Sequence, residues 1–184
     1  MFASVTHEIA KAPKFDKPVK LLIVASLYHS YITKELVTGA KESLKSASVD
    51  FELVEVTGTL EIPTAISIAE RTSNFDGYVA LGCIIEGATG HFDVLCHASY
   101  QALGQLGLNG VCVGNGILTV GDPLQGKERA DVEDQNNGAG AAIAALHLVA
   151  LSRKWGRETK GFGFRPASGE FLMADSTDDG PKTV

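Results

Sequence analysis

The sequence predicts an α/β fold: a four-stranded parallel sheet flanked by helices, in a three-layer α/β/α sandwich. Three observations predict it. Three of the strand candidates are continuous apolar runs, as expected of parallel strands covered on both faces. Segments with helical spacing separate each strand from the next, and that alternation calls for right-handed crossovers with helices on both sides of the sheet. The polar and glycine-rich stretches fall after the strands, at the carboxyl ends where open α/β sheets bind ligands.

The elements follow in chain order. Val19 to Ala25 (VKLLIVA) reads as the first strand, and Ser30 to Ala47 as a helix that places Ile32, Leu36, Val37, Ala40 and Leu44 on one face. Asp50 to Val56 (DFELVEV) alternates, which suits a strand at the sheet edge. Pro63 to Arg71 is helical, with proline where a first turn tolerates it. Gly77 to Cys83 (GYVALGC) is the third strand, His91 to Leu108 the third helix and Gly110 to Asn115 (GVCVGN) the fourth strand. A short helix over Pro123 to Asp131 and a long alanine- and leucine-rich one over Asn136 to Trp155 complete the order β-α-β-α-β-α-β-α-α. One domain spans residues 19–156. Residues 1–18 are expected to form a flexible N-terminal segment, and residues 157–184 an irregular tail in which Phe162, Phe164, Phe171 and Leu172 are available to dock.

Composition narrows the function. A net charge of -6 over 184 residues argues against general nucleic-acid binding, whose affinity comes from lysines and arginines neutralising phosphates. No apolar run approaches the roughly 20 residues that span a bilayer. The N-terminus lacks the pattern of a secretory signal, so the expected location is cytoplasmic. Cys83, Cys96 and Cys112 are odd in number, widely spaced and set in apolar sequence, which suits small buried residues better than a zinc site or a disulfide scaffold. No metal ligand set is expected.

Four loops meet at the carboxyl ends of the strands: Ser26 to His29, Thr57 to Ile62, Ile84 to His91, and Gly116 to Asp122. In the third, Gly87, Ala88, Thr89 and Gly90 allow close backbone approach, and free N–H groups at the next helix favour a phosphate or carboxylate. A tight strand-to-helix turn needs glycine in any case, so the run alone is weak evidence. His91 opens that helix, where the dipole disfavours an added positive charge and suits the ring to act as a base. Tyr28 offers a planar face or is a partly packed tyrosine. Glu61 either compensates a helix start or accepts hydrogen bonds from a polyol. Arg129, taken alone, is a solvated surface charge.

Together these loops resemble the lumazine synthase family over roughly Val19 to Gly156. The matching pieces are Thr57-Gly-Thr-Leu-Glu-Ile-Pro63 (family PGxxEIP), Leu81-Gly-Cys-Ile-Ile-Glu-Gly-Ala-Thr-Gly-His-Phe-Asp93 (family LGxVIRGxTxHxD), Gly114-Asn-Gly-Ile-Leu-Thr-Val120 (family GxLT), and Glu128-Arg-Ala130, in matching order and spacing. The resemblance implies a flavodoxin-like fold assembled as a homopentamer or an icosahedral 60-mer, with active sites between subunits. It also implies condensation of 5-amino-6-(D-ribitylamino)uracil with 3,4-dihydroxy-2-butanone 4-phosphate to 6,7-dimethyl-8-ribityllumazine, in riboflavin biosynthesis, without metal or organic cofactor.

By the same resemblance Tyr28 stacks on the pyrimidine, Leu60 and Glu61 line the ring and bind the ribityl chain, and Ile84 meets the uracil edge. Ala88 and Thr89 donate to the phosphate, Arg129 of a neighbouring subunit completes that anion site, and His91 moves protons. Thr59, Cys83, Ile85 and Asn115 complete the implied substrate-binding set. Several positions depart from the family pattern: Glu86 and Leu27 replace arginines, His29 and Thr57 replace an asparagine and a proline, Asn137 replaces a lysine, and Asn115 stands where phenylalanine is common. Glu86 bears most on activity, because a carboxylate near a phosphate repels it. The alternative is a diverged paralogue that keeps the pentameric scaffold as a flavin- or lumazine-binding or structural protein. An FMN electron carrier fits less well, since Ser26-Leu-Tyr-His-Ser30 makes a poor phosphate loop.

Overall fold

The computed structural model describes residues 9–157. Strands β1 (Lys20–Ser26), β2 (Asp50–Val56), β3 (Gly77–Ile85) and β4 (Val113–Val120) form one sheet in the order β2-β1-β3-β4, and every pairing is parallel. Helices α1 (Ser30–Ser46), α2 (Glu61–Thr72), α3 (His91–Leu108), α4 (Pro123–Ala130) and α5 (Asn137–Arg157) cover it. Side chains alternate across β1, and that alternation makes the layers. Leu21, Ile23 and Ala25 join Leu36, Leu44 and Leu146 on the α1/α5 side, while Leu22 and Val24 join Ile62, Ile66 and Leu103 on the α2/α3 side. The predicted three-layer α/β architecture is therefore the observed one.

β2 is an edge strand, as its alternation suggests: it is buried on neither face as fully as β1 or β3. The fourth strand differs from expectation. It begins at Val113 and runs to Val120, so Gly116 to Val120 are strand and not loop. Gly116 reads as the start of the loop, but it and Gly114 are required by packing: a Cβ at Gly114 would lie 1.9 Å from the Ala141 carbonyl oxygen of α5, and one at Gly116 2.9 Å from the Ala141 Cβ. The longer strand carries β3 with it, pairing Ile84 with Thr119 and Ile85 with Val120, and this trims the third loop to residues 86–90. α2 likewise begins two residues before Pro63, which still sits in the first turn, where its missing N–H costs no helical bond.

At the amino ends of the strands Arg153 of α5 gathers three partners. It donates to the Lys17 and Pro18 carbonyls at 3.0 and 2.7 Å and pairs with Asp76 at 2.7 Å. Its guanidinium also lies over the Phe15 ring, and Ala12 and Phe15 pack on the α1/α5 core. Residues 9–18 are thus fastened on the side of the sheet remote from the strand carboxyl ends. The four aromatic and aliphatic tail residues proposed for docking, Phe162, Phe164, Phe171 and Leu172, lie outside the described residues. Among the described residues no helix is long and apolar enough to cross a membrane.

Candidate active site

The chain leaves β1 toward β2 on one side and leaves β3 toward β4 on the other, so a crevice opens between the carboxyl ends of β1 and β3. A cavity of about 510 Å³ occupies it. Tyr28 and His29 border it after β1, Gly58 to Glu61 after β2, Cys83 to Ile85 at the end of β3, and His91 and Leu95 on α3.

Local sequence explains how these groups converge. The Tyr28 N–H donates to Ser26 Oγ at 3.3 Å and its carbonyl accepts the Thr33 hydroxyl at 3.3 Å, which fixes the backbone while the ring stays 64% exposed. Gly58 is a close-approach position. A Cβ there would lie 2.9 Å from Glu61 Oε2 and 3.4 Å from the Tyr28 ring, so glycine lets the carboxylate and the ring approach the loop closely without shifting either. Thr59 is buried beneath that loop, whereas Leu60 is exposed toward the cavity. Glu61 occupies the first turn of α2, where the helix dipole favours its negative charge.

The floor is apolar. Ile84 and Cys83 are buried, and burial pushes the Cys83 thiol up to about 11, so at neutral pH it is an uncharged wall and not a nucleophile. Cys96 and Cys112 are half-buried free thiols, also raised chiefly by burial. Cys83 is thus buried as expected, whereas Cys96 and Cys112 are only partly so. Among the described residues no cluster of histidine, cysteine or carboxylate side chains is disposed to hold a metal ion.

The third loop ends in an uncapped helix. Gly90 at the α3 N-cap offers no side-chain acceptor, and the first backbone bond of the helix, Val94 N–H to the Gly90 carbonyl, is 3.5 Å long. Among the described residues no hydrogen bond engages the N–H groups of Ala88 or Thr89, and both residues are exposed. A Cβ at Gly87 or Gly90 would meet nothing, so the fold itself does not demand glycine there. Open space and free donors at a helix N-terminus suit an anion. Glu86 does not line the cavity; its carboxylate and Gln125 flank Gly121, in the turn between β4 and α4.

Eight of the residues singled out in the sequence border this one cavity: Tyr28, Thr59, Leu60, Glu61, Cys83, Ile84, Ile85 and His91. Ala88 and Thr89 stand beside its mouth in the loop that leads to His91. Two others lie away from it. Asn115 is exposed on the edge strand β4, where its Oδ1 accepts the Ile117 N–H at 3.0 Å while Tyr100 donates to the Ile117 carbonyl at 2.7 Å. Arg129 is exposed in the last turn of α4 and makes no ion pair among the described residues; its carbonyl accepts from Asn137 at 2.8 Å. His29, which the sequence marked only as a departure, lines the cavity as well. Its place in the loop directly after β1 was the available signal.

Comparison with known proteins agrees with this geometry. Residues 18–153 match the family described as 6,7-dimethyl-8-ribityllumazine synthase. The chain is 50% identical over 165 residues to a protein of Jannaschia sp. (strain CCS1), covering 90% of this chain and 92% of that one. It is 43% identical over 136 residues to one from Novosphingobium aromaticivorans, covering 74% and 98%, and 42% identical over 147 residues to one from Bartonella henselae, covering 78% and 95%. All three relatives bear the name 6,7-dimethyl-8-ribityllumazine synthase. A match that runs through every strand and through all the loops around the crevice leaves one conclusion: the chain belongs to the 6,7-dimethyl-8-ribityllumazine synthase family.

Proposed function

We propose that this chain condenses 5-amino-6-(D-ribitylamino)uracil with 3,4-dihydroxy-2-butanone 4-phosphate to form 6,7-dimethyl-8-ribityllumazine, in the cytoplasm, as a transferase of riboflavin biosynthesis. One observation carries the reading: an apolar cavity with an aromatic face and a carboxylate on its wall, and with a histidine at its mouth beside an uncapped helix N-terminus. The pyrimidine lies against Tyr28, Leu60 and Ile84. Thr59, Glu61, Cys83 and Ile85 complete the wall, with Glu61 accepting from the ribityl hydroxyls. The phosphate sits at the N–H groups of Ala88 and Thr89. His91 moves protons during the condensation. Addition and elimination need no electron acceptor, so no metal or organic cofactor enters the scheme.

Arg129 and Asn115 act on the cavity of a neighbouring copy in this reading, within a homopentamer or an icosahedral 60-mer. What supports it is their exposure away from their own chain's cavity, with Arg129 left unpaired among the described residues. The paralogue alternative drew its strength from Glu86, and the placement of that carboxylate by Gln125 and Gly121, off the cavity wall, weakens it. Holding two reactants together supplies much of the acceleration for such a condensation, so one lost cation is tolerable. The test is lumazine formation from both substrates by the purified full chain. Turnover is expected; no product at high enzyme concentration contradicts the proposal.

A further inference from the structure

We infer that His29 is a second proton-transfer residue of this cavity, serving the amine-to-carbonyl step from the side opposite His91; the inference rests on the synthase reading above. His29 is the N-cap of α1 with φ 53 and ψ 44, a left-handed conformation uncommon outside glycine, which asparagine, aspartate and histidine adopt more readily than other residues. Three ordinary structural roles do not account for it. Its backbone carbonyl does the helix-starting work, accepting the Ile32 and Thr33 N–H groups at 2.8 and 3.1 Å, while its side chain makes no cap bond. The ring is half-buried and belongs to neither hydrophobic core. Among the described residues neither ring nitrogen has a hydrogen-bond partner.

The ring is nevertheless oriented. Tyr31 meets it edge-on, with centroids 6.4 Å apart and planes at 89°, and Lys127 of α4 lies 5.5 Å above the Tyr31 ring. The brace leaves the imidazole bordering the cavity. α1 belongs to the α1/α5 layer and α3 to the α2/α3 layer, so the two histidines reach the crevice from opposite sides of the sheet. The titratable or charged groups facing His29 are Tyr28 and Tyr31 from its own turn, Glu61 of α2, Cys83 of β3, His91 of α3 and, through Tyr31, Lys127 of α4.

This arrangement divides the proton traffic. As the uracil 5-amine adds to the ketone carbon, the new C–N bond leaves a proton on nitrogen, and His29 takes it. The imidazolium gives that proton to the alkoxide oxygen, which completes the carbinolamine, and the remaining N–H proton then crosses through the same ring to the hydroxyl as its C–O bond breaks. Water departs, the imine remains, and the ring ends in its starting state. His91, beside the anion loop, serves the later step in which a C–H proton is removed and the C–O bond to phosphate breaks.

The test uses the full chain and the substitutions His29→Asn, which keeps a residue tolerant of the left-handed backbone, and His29→Gly, which removes the ring and adopts that backbone freely. Steady-state kinetics are measured for both substrates across pH, with free imidazole added to H29G. Expected is a fall in kcat of about 100-fold in both variants, with KM for the butanone phosphate changed less than about twofold, since that substrate's anion site is untouched. The kcat–pH curve changes shape, and imidazole restores part of the H29G rate. A wild-type rate and pH curve in both variants overturn the inference. So does a fall in kcat that imidazole does not relieve and that leaves the shape of the pH curve intact. A wild-type protein without turnover overturns the synthase reading itself, and this inference with it.

Discussion

The two helical layers of this molecule are finished to different degrees. In α1, Ile32, Leu36, Ala40 and Leu44 are fully buried against α5 and the sheet. α3 is one residue longer and buries only Ser99 and Leu103, leaving Val94 63%, Tyr100 42% and Leu108 89% exposed. The Ser99 hydroxyl is buried without a partner in the single chain. α1 and α5 hold the domain together, whereas α3 carries His91 and the anion loop on a helix with uncovered apolar surface. The difference teaches that the anion loop and His91 sit on the helix with the more open apolar surface, which fits the proposal of a site shared with a neighbouring copy.

Substitutions sharpen the contrast, beginning with the strongest. Leu146→Ala on α5, at a fully buried position, is expected to cost about 2–5 kcal/mol, read from the denaturant midpoint. Val94→Asp on α3 is expected to leave the secondary structure intact and, if copies meet across this face as proposed, to lower the mass seen by light scattering. A Val94→Asp protein that keeps its assembled mass would break the comparison, because the exposed face of α3 would then be ordinary surface.

A second probe of the finished layer is Cys83. Its folded thiol is raised from 9.0 to about 11, so the folded state holds its proton more tightly than the unfolded chain does. The resulting stability is full below pH 9 and is lost as pH rises through about 11, by roughly 3 kcal/mol. In the native protein Cys83 should resist alkylation at pH 8, and the unfolding midpoint should fall across that alkaline window. Rapid alkylation of Cys83 at pH 8 without unfolding would contradict its burial. Arg129→Ala, on the exposed side, is expected to raise KM for the butanone phosphate about tenfold with an unchanged unfolding midpoint. Arg153→Ala has the smallest expected effect, about 1 kcal/mol, because its pair with Asp76 is partly solvated.

Much of this was legible in the residues. β1 and β3 declare themselves because buried parallel strands are apolar on both faces, and β2 betrays its edge position by alternating. The end of β4 was misplaced for a physical reason: Gly116 looks like a turn residue but serves the close packing of α5, a long-range contact that local pattern cannot encode. At the site, Tyr28, Glu61 and His91 were readable because they sit where strands end. His29 sits there too, but only the backbone shows that its carbonyl starts the helix and leaves the ring unbonded. The consequence of Glu86 was also hidden, because the direction of its carboxylate depends on the turn after the longer β4.

The most direct test of a pocket shared between copies is complementation. His91→Ala and Arg129→Ala proteins, each assayed for lumazine formation, are expected to be impaired alone. Unfolded together in equal amounts and refolded as mixed assemblies, they should regain turnover at about a quarter of the sites, those pairing an intact His91 with an intact Arg129 of the adjacent copy. Mixed assemblies no more active than the two separate variants would contradict the account.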